Sequence, residues 1–489
     1  MIGNLLIFVP MLGFLMLLLP SFRDSARRLA LFFVGIEFLI ALIAYGLNYS
    51  SVSDSLLKID YNWIQAINAH WHLHVTGVSM VLALLNALVF VVIFLSVEKN
   101  QYADKPHLFY ALGLLMQAAM MGVFLTKDAF SFYIFWELSL IPIYLIGLMW
   151  GENGKEKITL KFFLYTFIGS LFMLAGFIYL YHHTALLNEK GIRSWDILDF
   201  YQAGKLLTPQ QQMVVFWMIF LGFAVKVPIF PFHSWQPDTY TNMPVQGTMM
   251  LSGLMLKMGL FGLMFWLVPV VPTAVSEWQN FVLLLSILGV VYASFSALVQ
   301  TDFKRMLAYA SMAHVGLIAA GILSNTRQGM DGAAAQMFAH GVYVTGLFYV
   351  VHLFEKHTGT REITKLGGIR NLNGQFSNIF LIILLGSIAL PLTHGFVGEF
   401  LIITGLTQTS LVWAIIGGMS VILGAVYMLR AYQKMMLGDV VKTNYTFGAL
   451  EGKDKWSLFL IVFVILFLGI FPQALNIFTS ANINGLFAK

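Results

Sequence analysis

The chain has 489 residues and a formal net charge of +5, and 59% of its residues are hydrophobic while only 10% are charged. Because soluble domains carry about 25% charged residues, this composition, with a mean hydropathy of +0.80, excludes a soluble globular protein. It predicts an all-α polytopic membrane protein, with lipid as its main solvent and no nucleic-acid partner. The absence of cysteine excludes disulfides, thiolate metal sites and cysteine-ligated iron–sulfur clusters.

Apolar runs of about 20 residues are long enough to cross a bilayer as helices, and the sequence contains about fourteen of them. The first run, MIGNLLIFVPMLGFLMLLLP, lacks the basic segment and the small-residue cleavage site of a signal peptide, so it is taken as the first span. In chain order, the predicted transmembrane helices are 2–20, 28–48, 75–97, 107–126, 128–150, 162–183, 213–242, 245–268, 278–299, 303–324, 333–355, 375–409, 411–436 and 456–479.

The seventh and twelfth spans, 213–242 and 375–409, are too long for simple helices and both contain proline. Proline removes an intrahelical hydrogen bond and frees a carbonyl, and such backbone persists inside a membrane only where protein or water satisfies it. Helices 7 and 12 are therefore predicted to be broken, the first in KVPIFPFH and the second in ALPLTH. Paired broken helices in the two halves of a chain indicate two inverted repeats around ion sites.

These breaks predict a division of the chain into four parts. They are 1–106 with helices 1–3, 107–268 as the first five-helix repeat (helices 4–8), 278–436 as the second repeat (helices 9–13), and 437–489 with helix 14. Most of the 28 lysines and arginines fall in loops that join odd-numbered to even-numbered spans. Since basic loops stay in the cytoplasm, both termini are predicted to lie on the outer, periplasmic side.

Six ionisable residues inside predicted spans are candidates for function, because a charge at the bilayer centre costs roughly 2.5–3.5 kcal/mol on insertion scales. One interpretation is a set of internal ion pairs that hold helices together, with Glu137 and Lys226 as the obvious pair. The other is a path along which protons pass between neighbouring groups. A lone buried histidine is as often a satisfied core residue, but a mixed set favours the path. The six residues are Glu137, Lys226, Lys257, His314, His340 and Glu399.

Four stretches, FWELSLIPIYLI, KVPIFPFHSWQPDT, DFKRMLAYASMAHVG and GFVGEF, together resemble the antiporter-like membrane subunits of respiratory complex I. That family is related to Mrp-type sodium/proton antiporter subunits and to membrane-bound hydrogenase subunits. The resemblance covers about residues 75–435. With Glu399 after the second break, the chain resembles the M-type (chain 4) branch of the family, because the L and N branches generally have a lysine at this position.

The resemblance implies a role for each candidate in proton transfer. Glu137 would pair with Lys226, Lys257 would be the central switching lysine, His314 and His340 would lie on the axis between the halves, and Glu399 would be the terminal group.

It also implies proton translocation in a bacterial inner membrane, driven by quinone reduction in other subunits, with sister subunits L and N as neighbours. NADH, FMN, iron–sulfur clusters and quinone would bind partner subunits, and this chain would hold no cofactor or metal and perform no redox chemistry. An Mrp-type antiporter, a hydrogenase-linked subunit and a purely structural spacer stay open as alternatives.

Other polar residues of the sequence have a structural interpretation as well as a functional one. In HWHLH, His70, His72 and His74 alternate, which suits a divalent-metal site or simply a polar loop edge or hairpin. Asp128 and His233 are candidates for proton entry or for helix capping and loop hydration. Lys304 and Arg305 either contact lipid headgroups or, as favoured here, fix the topology.

Overall fold

The computed structural model describes residues 1–50, 54–99, 101–102, 104–441 and 447–487. Lys442 and Lys489, which contribute to the predicted orientation, lie outside these residues. The N-terminal half of the fold contains α1 Ile2–Leu18, α2 Ala26–Ser50, α3 Asp54–Leu57, β1 Lys58–Ile64, β2 Ala69–His74, α4 Gly77–Ser96, α5 Pro106–Leu125, α6 Ala129–Leu138, α7 Leu140–Trp150, α8 Lys155–His183, α9 Ile197–Leu206, α10 Pro209–Lys226, α11 Gln236–Asn242, α12 Val245–Met250 and α13 Leu256–Gly262.

The C-terminal half is also helical. It contains α14 Pro272–Leu298, α15 Phe303–Leu323, α16 Arg327–Thr358, α17 Ile369–Leu372, α18 Gly374–Ser387, α19 His394–Thr409, α20 Leu411–Met436, α21 Gly452–Ile470 and α22 Gln473–Phe487.

The predicted polytopic helical membrane fold is confirmed. Ten helical spans of the described residues are long and apolar enough to cross a membrane, or eleven if α21 and α22 count as one. The number fourteen stays a prediction, as do the four-part division and the inverted repeats. The predicted single helix 456–479 differs from the structure, because the chain bends by 64° between α21 and α22. Pro472 lies at this bend, and proline cannot continue the hydrogen bonding of the preceding helix.

Helical structure is interrupted in both proline-containing segments. Between α10 and α11, residues 227–235 form turns, and the indole Nε1 of Trp235 donates a 2.9 Å hydrogen bond to the Val225 carbonyl. The side chain thus satisfies a carbonyl that the broken helix leaves free. Between α18 and α19, the Thr393 hydroxyl does the same for the carbonyl of Leu390 at 2.7 Å. At each interruption a side chain thus donates a hydrogen bond to one backbone carbonyl.

The strands β1 and β2 pair as an antiparallel hairpin, with Lys58 opposite His74. The HWHLH motif is thus a hairpin strand, as one of its two interpretations predicted. His70 lies 2.7 Å from Asp60, and His72 lies 2.7 Å from Asp196. Within the described residues, the only group of three or more potential metal ligands is elsewhere, at Glu98, Glu451 and Asp454.

Candidate functional site

Glu137 and Lys226 lie near each other without direct contact. Glu137 is half-buried near the end of α6, beside Tyr133 and Ser170 and within electrostatic range of Lys226. Lys226 ends α10 and is 1% exposed. In the described part of the chain, Glu137 Oε1 and Lys226 Nζ have no hydrogen-bond partner, and no ion pair within 4.0 Å joins them. A tight structural ion pair is therefore not what holds this lysine.

An aromatic ring lies beside Lys226 instead of a carboxylate. The Nζ atom is 5.2 Å from the ring centroid of Trp136, which directly precedes Glu137 in the chain. Trp136 is fully buried and packs edge-on against Phe223, with ring centroids 5.5 Å apart. A cation over an aromatic face is attracted by the ring quadrupole, and the attraction is strongest for tryptophan and away from water.

The helix that carries Lys257 contains two π-helical segments, Leu251–Met255 and Leu263–Leu267, on either side of α13. Such widened turns shift the backbone hydrogen bonds by one residue and occur often at functional sites. Here the Lys257 ammonium reaches back to the carbonyl of Ser252 at 2.5 Å. The lysine is fully buried and is held by its own helix on one side.

On its other side, Lys257 contacts the second half of the chain. Its Nζ lies 2.7 Å from Nδ1 of His340 on α16, and Nε2 of the same ring lies 3.2 Å from the Ser311 hydroxyl on α15. Ser311 is also 3.1 Å from the hydroxyl of Ser252. Lysine, histidine and two serines thus form one buried hydrogen-bonded group across three helices.

His314 and Glu399 form the next pair. Nδ1 of His314 on α15 lies 3.0 Å from Oε1 of Glu399 on α19, and the Gln336 amide donates to the same oxygen at 3.0 Å. Glu399 is 2% exposed, and its Oε2 has no partner within the described residues. The two carboxyl oxygens of Glu399 are therefore in different surroundings, one in a hydrogen-bonded group and one open to a further donor.

A small cavity separates the two histidine-centred groups. The ring centroids of His314 and His340 are 6.0 Å apart, and both rings line the cavity with Ser311, Tyr343 and Ser387. Its volume of about 10 Å³ is close to the space that one water needs. The polar side chains line one part of this cavity, and apolar residues such as Leu307 and Met428 line the rest.

The broken helix lies beside the same row. Gln236 in the first turn of α11 donates to the Ala308 carbonyl at 3.0 Å, and the Tyr240 hydroxyl lies beside Gln236 and Ser252. A Cβ placed on Gly259 would be 3.3 Å from the Cβ of Lys226, so α13 passes close to the end of α10. Hydrogen bonds and a shared cavity join Lys257, His340, His314 and Glu399, and α13 passes close to the pair Glu137 and Lys226. We call these six residues the row. Their individual roles stay predictions.

The weaker candidates lie outside this row. Asp128 caps α6, since its carboxylate accepts hydrogen bonds from the Ser131 and His70 backbone amides at 2.9 Å each. His233 is half-exposed at the first break, and its ring lies 4.9 Å from that of Tyr292. Capping therefore accounts for Asp128, while neither interpretation of His233 is decided.

Lys304 is buried rather than exposed to headgroups. Its ammonium donates to the carbonyl of Met243 and lies 3.9 Å from Glu152. Arg305 is 3.2 Å from Asp238. Both basic residues thus bind protein groups at one end of the helical bundle, which is a use that neither sequence interpretation included.

Polar residues that the sequence analysis overlooked complete the row. Ser311 lies three positions before His314, and Gln336 lies four positions before His340, so helical spacing from the histidines indicates both residues. Glu37 is a further buried carboxylate within α2. A glutamate within the apolar run FFVGIEFLIAL gives the same signal as the six that were selected.

Comparison with known proteins agrees with this architecture. A family model described as "NADH:quinone oxidoreductase/Mrp antiporter, TM" matches residues 126–424. NADH-quinone oxidoreductase subunit M of Rickettsia prowazekii (strain Madrid E) is 33% identical over 97% of this chain and 96% of its own.

Among solved structures, a chain of respiratory complex I from Thermus thermophilus with bound NADH is 27% identical, with a TM-score of 0.88 and full coverage of both chains. A chain of the Mrp complex from Dietzia sp. DQ12-45-1b has a TM-score of 0.86, covering 100% of this chain and 98% of its own, but at 15% identity this likeness shows the fold alone. The family model covers more than half of the sequence, and the Rickettsia relative matches along nearly all of it. This chain therefore belongs to the NADH:quinone oxidoreductase/Mrp antiporter membrane-subunit family, in its subunit M branch.

Proposed function

We propose that this chain translocates protons across the membrane as a subunit of an NADH-quinone oxidoreductase. One observation carries the proposal: a row of buried ionisable groups crosses from the first half of the chain to the second through the contact of Lys257 with His340, at 2.7 Å. Intramembrane ionisable residues that face one another mark ion pathways. The energy for transport would come from quinone reduction in other subunits.

Proton transfer in the second half can be followed atom by atom. When Lys257 carries the proton, Nδ1 of His340 is the acceptor, and its Nε2–H faces the hydroxyl of Ser311. Transfer of one proton from Nζ to Nδ1 leaves a neutral amine and an imidazolium. The imidazolium can release its Nε2 proton toward the cavity that His314 shares. His314 then passes a proton to the carboxylate of Glu399, 3.0 Å away.

The first half of the chain would supply protons to Lys257. Glu137 and Lys226 are near enough to influence each other's charge but have no direct contact, so either can change protonation without breaking a strong pair. Buried charges that lack partners are costly, and movement of a proton between these two groups removes both charges at once. The Trp136 ring would hold the ammonium while Glu137 is neutral.

Cofactors and partners follow from the same proposal. NADH, FMN, iron–sulfur clusters and quinone would bind other subunits, and this chain would do no redox chemistry itself. Other membrane subunits of complex I, and in particular sister subunits L and N, would be its neighbours in a bacterial inner membrane. The periplasm would be on the side of both termini.

A sodium/proton antiporter or a hydrogenase-linked subunit is the alternative. The likeness to the Mrp complex chain supports the fold of that class but not its activity. Transport that follows NADH oxidation supports the first proposal. Transport that depends on sodium but not on NADH supports the alternative.

The test is proton pumping by inverted membrane vesicles that contain the complex with Glu137→Gln. Glutamine keeps the shape of the side chain but cannot exchange a proton, so we expect coupled pumping to fall about tenfold or more, as for loss of other proton-transfer groups. Assembly of the complex should be unchanged. Glu156→Gln, on an exposed residue of α8, is the matched control and should pump normally.

Electron transfer from NADH to quinone is measured in the same vesicles. Loss of pumping together with coupled electron transfer, in an assembled complex, supports the proposal. An assembled complex with Glu137→Gln that pumps normally would remove Glu137 from the path. The same pair of measurements on Lys257→Met then decides whether the row carries protons at all.

A further inference from the structure

Glu37 lies in the middle of α2 and takes no part in the row. Its side chain is fully buried, and neither carboxyl oxygen has a hydrogen-bond partner within the described residues. It comes eleven residues after Ala26, the start of α2, which is about 16 Å along the helix axis. A carboxyl at this depth needs either a counter-charge or a proton.

A contact at the outer end of α2 relates the depth of Glu37 to α4. The amide of Asn48 donates a hydrogen bond to the carbonyl of Val75 at 2.9 Å. The two helices run in opposite directions from this contact. Glu37 lies eleven residues before Asn48, and Asn86 lies eleven residues after Val75. The two residues are therefore at about the same depth in the membrane.

A contact at the inner end relates Glu37 to α5. A Cβ on Gly13 would lie 2.8 Å from the side chains of both Phe33 and Leu114, so these two residues share one depth. The helices α2 and α5 run in the same direction. Glu37 lies about one turn after Phe33, and Gln117 lies about one turn after Leu114, so Glu37 and Gln117 are also at one depth. The two contacts place Glu37 at the same depth as Asn86 on α4 and Gln117 on α5, and we call these three residues the layer.

Most of the unpaired polar atoms in this layer are oxygens. Asn86 Nδ2 donates to the Gln117 carbonyl at 3.1 Å. Four oxygens, Oδ1 of Asn86, Oε1 of Gln117 and both carboxyl oxygens of Glu37, have no partner in the described part of the chain, and Nε2 of Gln117 is the one unpaired nitrogen beside them. All three residues are fully buried. An ionised carboxylate would only accept hydrogen bonds, whereas a protonated carboxyl supplies a donor.

The helices packed against α2 offer no positive charge at this depth. Neither α1 nor α4 contains an acidic, basic or tyrosine side chain. The titratable groups on α2, on α5 and in the turn before α2 all lie toward the helix ends: Arg23, Asp24, Arg27, Arg28, Tyr45, Tyr49, His107 and Tyr110. An ionised Glu37 would therefore be an unpaired charge inside the membrane.

We propose that Glu37 is a proton-binding site within the membrane, separate from the row, whose neutral carboxyl donates a hydrogen bond to the amide oxygen of Gln117 or Asn86. The site goes beyond the proposed function and does not depend on it. Its residues lie before the stretch 126–424 that the family model matches.

The site is one helix away from the centre of the row. On the other side of α4, a Cβ on Gly341 would lie 2.6 Å from Leu85, and a Cβ on Gly253 would lie 3.4 Å from Val89. These two glycines flank the contact between Lys257 and His340. A neutral Glu37 adds no charge beside that contact, whereas an ionised one would stabilise a charged Lys257.

Infrared difference spectra of the intact complex test the site. Spectra of the wild type and of Glu37→Gln are compared at about pH 8, well above the ordinary glutamate pKa of about 4.3. We expect the wild type to show an additional carbonyl band of a protonated carboxylic acid, which Glu37→Gln loses. Glu156→Gln, on an exposed glutamate, is the matched control and should lose a carboxylate band instead.

Glu37→Asp provides a second variant, in which the acid band should shift rather than disappear, so the test does not depend on assembly of the glutamine variant. A carboxylate band in place of the acid band, in either difference spectrum, would overturn the proposal. If that carboxylate band appears in sodium buffer but not in potassium buffer, the layer binds a sodium ion. Either result leaves the pumping test of Glu137 unaffected.

Discussion

Lys226 rests on an aromatic ring, and this changes how its role can be tested. The ammonium lies over Trp136, a residue that neither accepts nor exchanges protons. A cation–π contact is worth about 2 kcal/mol or more when desolvated, enough to hold the lysine in place while Glu137 changes charge. Trp136 is thus a positioning residue for Lys226.

At this scale we predict that Trp136→Phe keeps most of the proton pumping and that Trp136→Leu loses it several-fold, with the complex assembled in both. Phenylalanine retains an aromatic face and leucine does not. Trp266→Leu is the matched control, because Trp266 is equally buried and packs 4.8 Å from Phe132 in the same aromatic cluster. Equal loss in Trp136→Phe and Trp136→Leu, or a similar loss in Trp266→Leu, would show that only packing matters.

Among helices, α21 is joined to the bundle by a cluster of charges at one end. Lys356 on α16 lies 2.9 Å from Glu98 and 3.2 Å from Asp454 on α21. Lys453 also binds Glu98, at 2.8 Å. Hydrogen bonds from His352 first, and from the two lysines, hold the pKa of the Glu98 carboxyl well below its usual range. Two lysines, Lys356 and Lys453, thus pair with the three carboxylates of Glu98, Glu451 and Asp454 and offset most of their charge.

We predict that Lys356→Met lowers the thermal unfolding midpoint of the complex, because it leaves the fully buried Asp454 carboxylate without its cation. Removing one partner of a buried pair costs about 3 kcal/mol or more. Lys455→Met, next to Asp454 on α21, is the control, since Lys455 has no ion pair among the described residues. Equal midpoints for the two variants would contradict a stabilising role.

The same cluster predicts that the stability of the complex depends on pH. A carboxyl whose pKa is lower in the folded state contributes stability that is fully present above its unfolded pKa and is lost as the pH falls. The thermal unfolding temperature of the wild type should therefore decrease when the pH is lowered below about 4.3. In Lys356→Met the unfolding temperature should depend less on pH in that range. A midpoint that rises on acidification would contradict this sign.

The whole molecule has two polar faces. The cluster of Lys356 lies on one face, and the hairpin lies on the other. Met1 and α22 lie at the hairpin face, since the Met1 ammonium donates to the Leu56 carbonyl at 2.9 Å and a Cβ on Gly77 would meet the side chain of Asn482. That both termini lie on the periplasmic side stays a proposal.

Because the chain has no cysteine, single cysteines can test its orientation. Glu156→Cys and Lys190→Cys place thiols on exposed residues of opposite faces. A membrane-impermeant maleimide should label Glu156→Cys in inverted vesicles and Lys190→Cys in right-side-out vesicles. The reverse labelling pattern would place the termini in the cytoplasm.

The class of this protein and most of the row can be predicted from the amino-acid sequence. Composition and apolar runs are enough for a polytopic membrane fold, because each span must satisfy its backbone alone. Because burying a charge in a membrane is costly, Glu137, Lys257 and Glu399 can be recognised as candidates from the sequence. That reasoning applies equally to Glu37, which the analysis missed although the signal was present.

Which of these groups contact one another depends on how the helices pack. Lys257 and His340 are 83 positions apart, and His314 and Glu399 are 85 apart, so no local pattern pairs them. The hydropathy of an apolar run also cannot reveal the π-helical turns that let Lys257 reach Ser252, nor the aromatic ring that replaces a carboxylate beside Lys226. The physical reason is that hydropathy is a sum over neighbouring residues in the chain, whereas hydrogen bonds and ring contacts depend on distances of a few ångströms between helices.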